Sequence, residues 1–253
     1  MSFIKRFLRE TVVLLRSIPS FITAIFVASV IAMNLLANKS IDLPWSWLAL
    51  DCGILFSWIA FLSMDIVTRR YGVKAANTLS VVALLVNLLI SLVFIAASYI
   101  PGTWSQSYVE GSEGIINNAL NLTFSSSWFV ILGSSTAFIV SAVINNVLHA
   151  FIEKKFKKAN FAAFSVSSYV STFIAQFIDN LLFAFIVSLH FFGWTATQCV
   201  TCAVTGAVVE LIGEVIFSPL GYRAAKRLEQ DNVGADYLAL INKNPEVESK
   251  EEN

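Results

Sequence analysis

Phe164–Phe192 reads FSVSSYVSTFIAQFIDNLLFAFIVSLHFF, twenty-nine residues in which Asp179 is the one Asp, Glu, Lys or Arg. A helix needs roughly 20 apolar residues to cross the hydrocarbon core of a bilayer, so this stretch is long enough to span one. Strands of a closed barrel alternate apolar and polar residues, and this stretch does not. A backbone in lipid must satisfy its amides internally, which leaves the α-helix.

Working outward, five more stretches qualify, at about Ser17–Ala37, Ser46–Met64, Val73–Ser98, Trp128–Ala150 and Ala196–Leu220. The bulk composition agrees: 57% of the 253 residues are hydrophobic and 13% charged, against roughly a quarter charged in soluble domains, and mean hydropathy is +0.72. The expected fold class is therefore all-α, a polytopic membrane protein with a six-transmembrane-helix bundle. Lys plus Arg and Asp plus Glu balance at 17 each, so net charge points to no nucleic-acid partner.

Orientation follows from the tendency of Lys and Arg to stay cytoplasmic. Lys5, Arg6, Arg9 and Arg16 precede the first span, Arg69, Arg70 and Lys74 lie between the second and third, and Lys154, Lys155, Lys157 and Lys158 between the fourth and fifth. Arg223, Lys226, Arg227, Lys243 and Lys250 follow the sixth, and only Lys39 is left on the other side. Both N and C termini are expected in the cytoplasm.

Three parts are expected. Residues 1–16 form an amphipathic cytoplasmic segment, with Phe3, Ile4, Phe7 and Leu8 among basic residues, suited to an anionic leaflet. Residues 17–228 form the six-helix domain, and residues 229–253 a frayed polar cytoplasmic tail. No cleavage pattern ends the first apolar run, so that span is expected to be retained. The loop Tyr99–Ser127, carrying Trp104, Tyr108, Glu110 and Glu113 without a basic residue, is either a lid or an interfacial loop anchored by its aromatics.

Ionisable groups at bilayer depth cost roughly 2.5 to 3.5 kcal/mol on insertion scales and mark candidate sites. Here they are Asp51, Asp179, Glu210 and Glu214. At 3.6 residues per turn, Thr172, Gln176, Asp179 and Phe183 share one face with Asn180 alongside. A carboxylate, amides and an aromatic ring suit a flat hydrogen-bonding heterocycle; the alternative is interhelical hydrogen bonding. Glu210 and Glu214, one turn apart, repel unless one is protonated or paired. Glu210 lies deeper, while Glu214 is expected to reach toward the inner interface. Asp65 is expected to cap or pair locally at that interface. Asn145 shares a face with His149, and His149 and His190 are expected near opposite interfaces. Ala24, Ala28 and Ala32 make a small-residue face in the first span, for packing within the monomer, a homo-oligomer or a partner membrane subunit. Cys52, Cys199 and Cys202 lack neighbours that would complete a metal set, so no metal or cofactor is expected.

Phe56, Phe61, Leu62, Asp65, Tyr71 and Gly72 together spell Phe-x4-Phe-Leu-x2-Asp-x5-Tyr-Gly; Asp179 and Phe183 follow as Asp-x3-Phe, then Pro219 and Tyr222. From Asn34 to Arg227 the chain resembles the queuosine-precursor transporters, also called the vitamin uptake transporter family. That resemblance implies six helices, a bacterial plasma (inner) membrane and uptake of 7-deazaguanine precursors of a modified tRNA base. Two positions depart from the pattern: Ser57 stands where members often have Pro, and Glu210 near a position that is often Lys. The expected substrate-binding set is Asp179, Gln176, Asn180, Phe183, Glu210, Asp51, Phe56 and Asn145, placed between the second, fifth and sixth spans. No P-loop, His-Glu-x-x-His or Gly-x-Ser-x-Gly occurs, so a non-enzyme is expected. The rival readings are a substrate-binding subunit of an ATP-driven vitamin importer and a non-transporting scaffold or sensor.

Overall fold

A computed structural model describes residues 3–41, 43–104, 113–125, 128–157 and 160–242. The order is α1 (Phe3–Ser17), α2 (Ser20–Leu36), β1 (Ser40–Ile41), β2 (Leu50–Asp51), α3 (Ile54–Tyr71), α4 (Val73–Ser98), α5 (Glu113–Ser125), α6 (Trp128–Glu153) and α7 (Phe161–Phe183). A π-helical turn at Ala184–Ser188 continues α7 into α8 (Leu189–Phe191), and α9 (Ala196–Gln230) and α10 (Ala235–Asn242) complete the chain.

Four described helical stretches are long and apolar enough to cross a membrane: α4, α6, α7 with its continuation to Phe191, and α9. A fifth arises if α1 and α2, bent by 107° about their junction, count as one. That bend has a local cause, since Pro19 at the head of α2 has no amide proton to continue the ladder of α1. The second expected span starts eight residues late. Residues 46–53 are not helical: β1 and β2 pair antiparallel, Ser40 opposite Asp51, and helix begins only at Ile54. The backbone there is satisfied from elsewhere, with Cys52 N–H donating to Lys39 O (2.8 Å), Gln198 Nε2 to Ser46 O (2.9 Å) and Thr201 Oγ1 to Trp47 O (2.7 Å). Irregular backbone is tolerated at membrane depth where protein buries it or it lines a cavity. The helix α3 is also the least lipid-like, carrying Asp65, Arg69 and Arg70, and it buries most of its surface among its neighbours.

The bundle buries an apolar core together with many polar side chains, and its outside is apolar. Leu85, Leu89 and Leu92 of α4 are exposed, as befits a surface meeting lipid, whereas small and polar residues line the helix contacts. Where α6 meets α7 and its π-helical turn, a Cβ on Gly133 would strike Val187, Ser141 donates to Asp179 and Thr172 reaches Asn145, and the buried face of α7 carries Ser168, Ser171, Thr172, Ala175 and Gln176. Apolar side chains gain little by leaving lipid for protein, so close backbone approach and interhelical hydrogen bonds hold such contacts. Helix starts are specified locally: the side chain of Asn160 accepts from Ala163 N–H (2.9 Å), and Thr195 with Gln198 forms a reciprocal capping box, each worth about 1 kcal/mol.

Most of the described basic clusters gather at one end. Arg69 pairs with Glu153 of α6 (2.8 Å) and Glu229 of α9 (2.9 Å) and lies over Phe164 and Tyr222. Arg70 donates to Val233 O and Asn232, Lys74 pairs with Glu10 of α1 (2.5 Å), and Tyr71 donates to Ser17 O. Residues 230–242 depart from the frayed polar extension expected of them. Helix α10 packs on α1, and Tyr237 is buried against Tyr71 in the main core. Gly234, with φ +76° and no room for a Cβ beside Tyr71, permits that turn. Helix α5, between α4 and α6, packs on α4, with Trp104 on Asn117, Asn121 and Phe124. Tyr108, Glu110, Lys158, Lys243 and Lys250 lie outside the described residues, and so do residues 243–253.

Candidate functional site

At the end of the bundle opposite Arg69, six elements line a cavity of about 30 Å³ as the centre of a water molecule can travel it. Helix α2 contributes Met33, Asn34 and Ala37, the hairpin exit Asp51 and Gly53, and α3 Ile54 and Ser57. Ser134 comes from α6, Asp179, Asn180 and Phe183 from α7, and Glu210 from α9.

Each polar group is held from its own element. The β2 pairing delivers Asp51 inward, where its Oδ1 accepts Gly53 N–H at 2.7 Å, the local turn that Asp favours. Asp179 accepts from Ser141 Oγ at 2.7 Å. Glu210, 1% exposed, accepts from Asn180 Nδ2 at 3.0 Å and from Ser57 Oγ. Asn180 fits because Gly206 lies one turn before Glu210 on α9; a Cβ there would stand 2.7 Å from Asn180 Nδ2. Asn34 accepts from Ser134 Oγ, while its Nδ2 has no partner although buried. Phe183 closes the α7 side directly before the π-helical turn, a distortion frequent at functional sites.

Three carboxyl groups thus face one hollow, and none of its lining residues is Lys or Arg. Such a surface attracts hydrogen-bond donors, cations or protons. Among the described residues no three His, Cys, Asp or Glu side chains are placed to hold a metal ion. The cavity has room for water and not for a bicyclic base, so an organic ligand needs its walls to part.

Of the eight expected residues, Asp51, Asp179, Asn180, Phe183 and Glu210 meet here, and three do not. Phe56 is 38% exposed and faces away, because neighbouring residues on a helix point about 100° apart; Ile54 and Ser57 take the inner arc. Gln176 is fully buried outside the lining, with both amide atoms unpartnered. Asn145 is buried too, donating to Asp65 Oδ1 at 2.8 Å. Sequence reasoning missed Asn34, Ser134 and Ser57, and with the first two the part taken by α2 and α6. Asn34 was visible as an amide near the end of an apolar run. Ser57 and Glu210, the two positions noted above as departing from the resemblance, touch each other.

Other expectations are corrected by burial. Asp65, His149 and Glu214 are all 0% exposed, where interfacial positions were expected. Their polar partners lie on neighbouring helices, so the groups are drawn inward. Ala24 and Ala28 face outward, and α2 packs inward through Phe26, Ser29, Val30, Met33 and Asn34 instead. His190 is exposed near the outer end of α8.

The family described as "Putative vitamin uptake transporter" matches residues 51–224, which covers Asp51, both Asp179 and Glu210, and all of α3 to α7. No curated protein and no solved structure matches the chain.

Proposed function

Because the chain belongs to the vitamin uptake transporter family, we propose that it imports a small planar heterocycle, a queuosine precursor such as 7-cyano- or 7-aminomethyl-7-deazaguanine. In this reading α2, α3, α4, α6, α7 with α8, and α9 cross the plasma membrane of a bacterium six times. The end that gathers Arg69 faces the cytoplasm, with both termini on that side.

The observation that carries the proposal is the joint presence of Asp179, Glu210, Asn180, Asn34 and Phe183 around one buried hollow. A guanine-like edge presents an N–H and an exocyclic amine side by side, which a carboxylate accepts in pairs. Asp179, with one oxygen on Ser141, is the acceptor for that edge, and the unpartnered Asn34 Nδ2 donates to a ring oxygen or nitrogen. Phe183 stacks on the ring. Entry parts α2 and the β1–β2 hairpin from α7, and closure returns the hollow to its observed size, as alternating access demands. No catalytic step is involved.

Uptake of labelled 7-cyano-7-deazaguanine into cells lacking their own route tests this. Expression of the chain restores uptake, and Asp179→Asn removes it while the protein still reaches the membrane. Unchanged uptake in Asp179→Asn and Glu210→Gln refutes the site. The exposed Ala24 and Ala28 favour one second reading, a substrate-binding subunit docked on an energising partner through α2; copurification with an ATPase distinguishes it.

A further inference from the structure

A second buried polar cluster lies between the cavity and the Arg69 end. Asp65 of α3 accepts from Asn145 Nδ2 (2.8 Å) and Ser168 Oγ (2.5 Å), and His149 Nδ1 stands 3.1 Å from it. On the far side of the imidazole, Nε2 lies 3.5 Å from Glu153 Oε2, and Glu153 in turn pairs with Arg69. Ser168 Oγ also contacts Glu214 Oε1, while Glu214 Oε2 has no partner.

Proton counting decides the state of this cluster. A serine hydroxyl has one hydrogen to donate, yet Ser168 lies within bonding distance of two carboxyl groups. If its hydrogen goes to Asp65, which Asn145 already favours as the anion, the contact with Glu214 requires a carboxyl O–H donating into Ser168. If it goes to Glu214 instead, Asp65 must supply the hydrogen. Either way the pair holds one proton. An ionised Glu214 with a bare buried oxygen would carry an uncompensated charge, which settles the proton on Glu214.

The cluster and the cavity are neighbours along α6 and α7. Asp179 takes its hydrogen bond from Ser141, and Asn145, the partner of Asp65, lies one turn further along α6. Thr172 Oγ1 reaches Asn145 Oδ1 at 3.5 Å. Between Thr172 and Asp179 on the facing helix sits Gln176, buried and with both polar atoms unpartnered. Its free donor and acceptor thus stand one turn along α7 from Thr172 and one turn from Asp179.

We infer that the Asp65–Ser168–Glu214 pair, with His149, is the proton-binding site that couples uptake to proton entry. This rests on the uptake reading above. Glu214 gives its proton to Ser168 as Ser168 gives its own to Asp65. Asp65 then gives that proton to the bare Nδ1 of His149 as the imidazole gives its Nε2 hydrogen to Glu153, which releases it to water at the Arg69 end, and the imidazole returns to its starting tautomer before the next cycle. The emptied Glu214 is refilled from the cavity by way of Asp179. Chains of Asp, Glu and His are the usual material of such relays in membranes. The titratable groups facing Glu214 are Asp65 from α3 and His149 from α6; α7 presents Ser168, Glu210 lies one turn away on α9 itself, and Glu153 and Arg69 stand beyond His149.

The test uses the purified full chain in lipid vesicles. Infrared difference spectra show a protonated carboxyl band in the native protein that is missing in Glu214→Gln and kept, shifted, in Glu214→Asp. Absence of the band, or its persistence in Glu214→Gln, overturns the proton site without reference to any substrate. Vesicles then receive labelled 7-cyano-7-deazaguanine under two regimes. An inward gradient of one pH unit drives about tenfold accumulation per proton carried, and this is lost in Glu214→Gln and Asp65→Asn. Counterflow of label against preloaded substrate needs no gradient and survives in Glu214→Gln. Counterflow without any response to the pH gradient in the native protein overturns the coupling and leaves the uptake reading intact. No counterflow in the native protein overturns the uptake reading, and the coupling with it.

Discussion

Substituting Gly206→Ala probes the binding cavity without replacing any side chain that lines it. The added Cβ falls 2.7 Å from Asn180 Nδ2 and 3.1 Å from its Cγ, where nonbonded heavy atoms settle at roughly 3.5 Å or more. The amide must retreat by about 0.8 Å to reach that spacing. Its bond to Glu210 Oε2, now 3.0 Å, then stretches past useful length. Losing one hydrogen bond to a buried carboxyl group costs about 1–3 kcal/mol. A change of that size in binding is roughly 5- to 150-fold. We expect the KM for uptake to rise within that range. Gly221→Ala supplies the comparison: its Cβ would meet Leu62 Cδ1 at 2.5 Å, an equal crowding that involves only a methyl group. It should lower thermal stability in detergent much as Gly206→Ala does, yet leave KM alone. Equal KM values for both variants would refute the claim that Asn180 and Glu210 shape the cavity.

Phe183→Ala should raise KM about two- to tenfold, the value of one aromatic stacking contact, whereas Phe56→Ala should leave KM unchanged, since Phe56 faces away from the cavity. Arg69→Ala removes a cation from between Glu153 and Glu229 and from the faces of Phe164 and Tyr222; the loss of about 3 kcal/mol should appear in thermal unfolding, and Arg69→Lys should not restore it because an ammonium cannot bridge both carboxylates in a fixed fork. Burial raises the Glu10 carboxyl, but Lys74 and Arg6 outweigh it and hold the group below its ordinary value of 4.5. Its contribution to docking α1 is therefore present above pH 4.5 and lost as pH falls through the lowered value. Hydrogen exchange of α1 should quicken in that acid window, and in Glu10→Gln the window should disappear.

The polar face of α7 was legible in advance because it depends on one helix alone: Asp179, Asn180 and Phe183 keep their spacing whatever lies around them. Asp51 was legible as an ionisable residue in an apolar stretch, although its delivery by a hairpin was not. Two tryptophans and several apolar residues from Trp45 to Leu50 pass for the first turns of a span, and only pairing with Ser40 and Ile41 and hydrogen bonds from Gln198 and Thr201 make that stretch extended. Phe56 and Ser57 show the same limit on a smaller scale, since two adjacent residues cannot both face inward and neither hydropathy nor spacing says which does. Asp65, His149 and Glu214 lie close enough to the ends of their apolar runs to pass for interfacial groups. Each is buried because a partner on another helix reaches it, Asn145 and Ser168 for Asp65, and Ser168 for Glu214.

By itself the sequence determined that this is a membrane protein built of helices and which helix face is polar, because hydropathy and the 3.6-residue period are properties of neighbouring residues along the chain. Tertiary structure alone decided that Ser57, Asn180 and Glu210 share hydrogen bonds, that Asn34 and Ser134 join them, and that one serine spans two carboxyl groups. Those partners come from different helices tens of residues or more apart, and the free energy that pairs a buried polar group belongs to the contact and not to either residue.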